Sequence, residues 1–186
     1  MNLTQLPDDL PVPQDDGATD HLLGMLFPRM TFLTTEGEQV SPSSLPGYVV
    51  LYIYPMTGRP GVPLPDGWDE IPGARGCTPQ SCSFRDHYRE LQSLQTYVFG
   101  LSTQTSDYQA EARDRLHLPF ELLSDTELKL KQTLKLPTFF ADNRELYKRA
   151  TLILRDGIVV KVFYPIFPPG ENAESVLSWL QEQPRL

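Results

Sequence analysis

The chain has 186 residues, 40% of them hydrophobic and 22% charged, a size and balance that suit one domain with a real core. Its formal net charge of -8 leaves no basic face for nucleic acid. No run approaches the roughly 20 apolar residues of a membrane span, and the start MNLTQLPDDLPVPQDDG lacks the basic and apolar regions of a signal peptide, so a cytoplasmic protein without a membrane or nucleic-acid partner is expected.

Residues 1–20 are rich in Pro and Asp and lack apolar periodicity, which predicts an irregular lead-in over the surface of a single domain at 21–186. Asn2-Leu3-Thr4 has the form of a glycosylation acceptor, a pattern with meaning only in a secreted chain. Residues 30–33 read as a short strand, followed by a turn at Glu36-Gly37-Glu38. YVVLYIY at 48–54 is a near-continuous β-branched and aromatic run, as in a central strand buried on both faces. The stretch 55–73 then carries five Pro and four Gly in nineteen residues, so neither helix nor strand propagates through it and a long loop is predicted.

Thr78-Pro79 signals a helix start, and Phe84, Tyr88, Leu91 and Leu94 recur at helical spacing, predicting a helix over 77–94. TYVFGL at 96–101 reads as a buried strand, 106–116 as a charged helix, 121–123 as a short strand and 126–134 as a helix. Two strands at 150–154 and 158–163 flank Arg155-Asp156-Gly157, where Asp-Gly is a strong hairpin signal. A last helix at 171–182 places Val176, Leu177 and Leu180 on its apolar side. Strands alternating with helices, closed by an antiparallel hairpin and a final helix, fit an α/β thioredoxin-like sandwich: a mixed central sheet with helices on both faces.

The two cysteines, Cys77 and Cys82, are too few for the disulfide framework of a small secreted scaffold. A helix beginning near 77 puts Cys77 in its first turn, where free backbone N–H groups and the positive end of the dipole favour a thiolate. Spacing alone also fits two unrelated buried cysteines, since free cysteine is among the most buried residue types. Cys77-x4-Cys82-x4-His87 supplies only three metal ligands, and helical phasing sets His87 on a different face from Cys77, so no metal is expected.

GCTPQSCSFRDHYREL, residues 76–91, resembles the active-site helix of the Q-type peroxiredoxins, also called bacterioferritin comigratory proteins. Tyr54-Pro55, GLSTQTSDYQ at 100–109, PFELLSDTELKL at 119–130 and KRATLILRDGIVVKVF at 148–163 also have counterparts, so the resemblance covers most of residues 25–182. It implies that Cys77 attacks a hydroperoxide and becomes a sulfenic acid. Cys82 then condenses with it to a disulfide, and thioredoxin or a similar dithiol restores both thiols, with no cofactor. The family's arginine falls on Arg149, where a guanidinium would hold the thiolate and a peroxide oxygen, and Gln80 falls on a polar site position. In an intact helix the two Cα atoms would stand roughly 8 to 9 Å apart, beyond the roughly 7 Å a disulfide spans, so oxidation is expected to unwind the first turns.

One departure concerns the superfamily pattern Pro-x-x-x-Thr-x-x-Cys, which supplies a threonine hydroxyl three residues before the cysteine. Here that place is Ala74, and Glu70 stands where the proline would. If the Pro/Gly-rich loop is an insertion within the motif, Pro55 and Thr57 are its displaced front end and Thr57 is the candidate hydroxyl, with Thr78 or a backbone donor as the alternative. A proline-stiffened segment directly before the nucleophile is placed to form a wall of the site, where Trp68 and Tyr54 would lend apolar cover suited to alkyl hydroperoxides. A general thiol–disulfide oxidoreductase and a non-enzymatic redox sensor are the competing readings of the same fold, and the sequence leaves monomer and homodimer both open.

Overall fold

The computed structural model describes residues 5–184, so Asn2-Leu3-Thr4 and the first residues of the lead-in lie outside it. The strands in chain order are β1 (Phe32–Thr34), β2 (Gln39–Val40), β3 (Tyr48–Ile53), β4 (Thr96–Ser102), β5 (Leu122–Ser124), β6 (Thr138–Ala141), β7 (Arg144–Tyr147), β8 (Ala150–Arg155) and β9 (Ile158–Phe163). The helices are α1 (Cys77–Asp86), α2 (Tyr88–Ser93), α3 (Ser106–Leu116), α4 (Lys129–Leu134) and α5 (Asn172–Gln181). Seven strands form one sheet in the order β2-β1-β5-β4-β3-β8-β9, and β6 and β7 pair separately. β3 runs parallel to β4 and antiparallel to β8, which makes the sheet mixed.

The central position of β3 explains its unbroken apolar run, since both of its faces are covered. Tyr48, Val50 and Tyr52 point into a core shared with Phe84 of α1, Leu91 of α2, Leu116 of α3 and Val176, Leu177 and Leu180 of α5. The alternate residues Val49, Leu51 and Ile53 join Leu130 and Leu134 of α4 and the Leu22 and Phe27 side chains on the opposite face. Helices therefore cover both faces, in the thioredoxin-like sandwich the element order predicts.

The structure departs from the sequence pattern in three places. The single helix predicted over 77–94 is broken at His87, whose backbone leaves the helical region, and beyond the break Tyr88 packs on Phe120 with ring centroids 5.5 Å apart. α4 starts at Lys129 rather than 126 because the buried Asp125 carboxylate accepts the amides of Lys129 and Leu130 and so caps the helix there. The β6–β7 hairpin has its signal in Asp142-Asn143, both in the left-handed region, the pair a two-residue turn of this twist favours.

The lead-in lies against the body of the domain. Asp16 accepts from Lys148 at 2.7 Å and from Tyr164 at 2.8 Å, and these bonds hold its carboxyl down to about 2. A carboxylate depressed in this way contributes to stability above the ordinary Asp range and loses that contribution as pH falls toward 2.

Gly76, the residue before Cys77, adopts φ 111° and caps α1, and a Cβ there would sit 2.2 Å from Pro169 Cγ. Only glycine allows both the left-handed backbone and this approach of α1 to the 3-10 turn Pro169–Glu171. Gly76→Ala is expected to lower stability by about 1 to 3 kcal/mol, read as a reduced midpoint in urea unfolding.

Candidate active site

Cys77 is the first residue of α1 and is buried, with 4% of its surface exposed. Its Sγ lies 3.7 Å from the Ala74 carbonyl and 3.3 Å from Arg149 Nη2. Arg149 sits immediately before β8 and is itself buried. Its Nη1 donates to Gln80 Oε1 at 2.5 Å, and its Nη2 also reaches the carbonyls of Gly73, Ala74 and Arg75 at 3.0 to 3.2 Å. Among the described residues no carboxylate pairs with this guanidinium, and its Nε has no partner. A buried cation without a counter-ion is costly. The group placed to neutralise it is the sulfur, once ionised.

The bonds around Arg149 extend inward. Gln80, fully buried in α1, donates through Nε2 to Asn172 Oδ1 at 3.0 Å, and Thr151 of β8 donates to the same oxygen at 2.7 Å. Thr151, Asn172, Gln80 and Arg149 thus form a continuous chain ending at the sulfur. No sequence motif marks Asn172 or Thr151 for the site. Strand periodicity offered a hint, because Thr151 lies two residues beyond Arg149 and shares its side of the strand.

Cys82 lies on the same helix, half-buried against the core that holds Tyr52 and Phe84. Burial pushes its thiol above the ordinary range, and the nearby Arg85 guanidinium opposes that shift. Both cysteines are free thiols here, joined by a regular helix. Helix geometry sets their Cα atoms roughly 8 to 9 Å apart.

Thr57 is tied elsewhere. Its amide and hydroxyl donate to Gln104 Oε1 at 2.9 and 3.1 Å, and Gln104 Nε2 returns a bond to the Thr57 carbonyl. Its neighbours Met56 and Gly58 line the small cavity at Cys77, but the hydroxyl-bearing side chain on that lining is Thr78. The structure thus joins Cys77, Arg149 and Gln80, and gives Thr57 a bonding partner other than the sulfur. His87, at the α1–α2 break, meets Glu90 at 2.9 Å.

A family model for redoxins matches residues 22–177. Chloroplastic peroxiredoxin Q of Sedum lineare is 32% identical over 160 residues, spanning 85% of this chain and 77% of that protein. The chain belongs to the peroxiredoxin Q family. Peroxiredoxin Bcp of Bacillus subtilis is 28% identical over 159 residues, spanning 83% of this chain and 92% of that protein. The crystal structure of peroxidoxin BcpB from Mycobacterium tuberculosis superposes with a TM-score of 0.69 over 86% of this chain and 96% of that one, at 23% identity, and so shares the fold. As a peroxiredoxin, the protein is a thiol peroxidase. In this peroxiredoxin the guanidinium of Arg149 is a buried positive charge 3.3 Å from the Cys77 sulfur.

Arg149→Ala is expected to slow oxidation of Cys77 by hydrogen peroxide by about 10² to 10³-fold. Asn172→Ala, acting through Gln80, is expected to cost less, up to about 10²-fold, and Asn172→Asp would leave the chain to Thr151 and Gln80 intact. Stopped-flow rates for the three variants check the order.

Proposed function

We propose that this peroxiredoxin reduces hydroperoxides by a two-cysteine cycle on α1. The Cys77 thiolate attacks the outer oxygen of the hydroperoxide, the O–O bond breaks, and the departing oxygen takes a proton to leave as water or an alcohol. Sulfur is oxidised by two electrons and the peroxide is reduced by two, leaving Cys77 as a sulfenic acid. Cys82 then attacks that sulfur, its own proton and the sulfenic hydroxyl leaving together as water, to give the Cys77–Cys82 disulfide. A thioredoxin-type dithiol restores both thiols by exchange and is itself oxidised to a disulfide. The observation that carries this reading is the 3.3 Å contact of Arg149 Nη2 with Cys77 Sγ inside a buried site, with a second thiol on the same helix.

The roles differ by environment. Arg149 faces Cys77 and is placed to hold both the thiolate and the charge that develops on the leaving oxygen. Gln80 orients the guanidinium, and Thr78 is the hydroxyl placed to meet a peroxide in the cavity. Cys82 stays a thiol while half-buried and becomes the attacking thiolate when the helix opens. Burial favours its protonated form, so the closed helix is stabilised below the ordinary thiol range of about 8.5 and loses that contribution as pH rises through it.

A general disulfide exchanger is the weaker reading, because a pair five residues apart in a helix does not close without opening it. All the residues named belong to one chain, so a monomer and a homodimer both accommodate the cycle. The cycle needs a compartment that returns disulfides to thiols, which the cytoplasm does. The Sedum relative's name places that protein in the chloroplast. Among the described residues no helix is long and apolar enough to cross a membrane.

Cys77→Ser is expected to abolish peroxide consumption. Cys82→Ser should be oxidised once, gain a single oxygen by intact mass, and fail to turn over with thioredoxin. In the unmodified protein the disulfide-forming step should accelerate as pH rises through the ordinary thiol range. Full turnover by Cys77→Ser with loss in Cys82→Ser would reverse the two roles.

A further inference from the structure

Residues 55–73 join the end of β3 to the turn that leads into Cys77, and they are folded down over the sulfur. Met56 and Trp68 are buried in a small apolar cluster with Ala74 and with Ala141 and Leu146 of the β6–β7 hairpin. Leu64, Ile71 and Phe139 pack against that cluster, and the Trp68 and Phe139 rings lie 6.0 Å apart. The segment is tied at both ends. Arg115 Nη2 donates to the Gly58 carbonyl at 2.9 Å, and Arg75, two residues before the nucleophile, donates to Asp69 at 2.9 Å.

What remains at the sulfur is a shallow, half-open pocket of about 10 Å³, lined by Met56, Leu64, Trp68, Arg75 and Thr78 among others. That is room for about one water molecule. A far roomier depression of about 930 Å³ lies over Tyr88, Tyr97 and Phe120 and includes neither cysteine. The apolar character of Met56, Leu64 and Trp68 would by itself suit an alkyl group, as the sequence suggests. The narrowness of the mouth argues the other way, because an alkyl group following the O–O bond toward the sulfur meets packed side chains that must give way. Tyr54 takes no part in the lining, and its hydroxyl accepts from Gln109. Hydrogen peroxide carries no carbon, whereas cumene hydroperoxide brings a phenyl ring up to a mouth that Trp68 walls.

We propose that Trp68 is the specificity-determining residue of this peroxiredoxin, admitting hydrogen peroxide to Cys77 and holding out bulky organic hydroperoxides. The proposal rests on Cys77 as the sulfur that attacks the peroxide. A pocket misfit of this kind is worth about ten- to two-hundredfold in rate.

The test is stopped-flow oxidation of the reduced full-length protein by hydrogen peroxide and by cumene hydroperoxide, with Cys77 oxidation followed by intact mass. The unmodified protein should react at least tenfold faster with hydrogen peroxide, and Trp68→Ala should shift the ratio of the two rate constants at least tenfold toward cumene hydroperoxide. A general structural defect slows both peroxides alike and leaves the ratio in place. Leu64→Ala, at a partly buried position of the same lining, should move the ratio in the same direction and serves if Trp68→Ala does not fold. An unmodified protein that reacts equally fast with both peroxides, or a ratio unmoved in the folded variants, overturns the proposal. If neither peroxide oxidises Cys77, the peroxidase reading itself falls.

Discussion

The site depends on one buried guanidinium. Arg149 has no carboxylate partner among the described residues, and its donors are directed to the carbonyls of residues 73–75, to Gln80 and to the sulfur of Cys77. A cation placed this way does two things at once. It gathers the backbone turn that presents Cys77, and it sets a fixed positive charge 3.3 Å from the Cys77 sulfur, where the proposed reaction would develop negative charge. Because the carbonyls are neutral dipoles, they orient the guanidinium without neutralising it, which a carboxylate would have done.

The same contacts would oppose the disulfide-forming half of the proposed cycle. Gln80 lies between Cys77 and Cys82 on α1 and is bonded both to Arg149 and to Asn172. Opening the helix far enough for the two sulfurs to meet breaks at least these bonds. One is charge-assisted, and together they are worth about 2 to 4 kcal/mol. Further along α1, Phe84 stacks on Tyr52 at 4.5 Å and Ser81 accepts the Tyr52 hydroxyl. The start of the helix, around Cys77, is thus the part held mainly by polar bonds, while its later turns are anchored in the core. In the proposed cycle the closed helix and the disulfide would be two states of one segment, with the bonds to Gln80 present only in the first.

The proline-rich loop and the β6–β7 hairpin act as one unit, although more than sixty positions separate Trp68 from Phe139 in the sequence. Neither has enough apolar surface to form a core alone, and a two-stranded hairpin is marginal by itself. Packed together they bury Met56, Trp68, Ala141 and Leu146, and they close the space above the sulfur. Thr57, at the start of the loop, fastens it to Gln104 through its amide and its hydroxyl.

Local period and turn residues in the sequence were enough for the main strands and helices of the large sheet, the central strand and the Asp-Gly hairpin, while Arg149 was assigned to the site beside Cys77 only by resemblance to the family. The same resemblance placed Gln80 at the site. The sequence did not reveal the Asp142-Asn143 hairpin, because its four-residue strands carry too short an alternation to stand out beside the turn signal. Nor did it reveal Asn172 and Thr151, whose roles arise only when α5 and β8 are brought against α1. Tertiary structure alone decided that Thr57 bonds Gln104 and that the apolar loop leaves almost no volume at the sulfur. The physical reason is common to these cases: hydrogen-bond partners and free volume are properties of segments meeting across the fold, and composition and periodicity describe each segment only on its own.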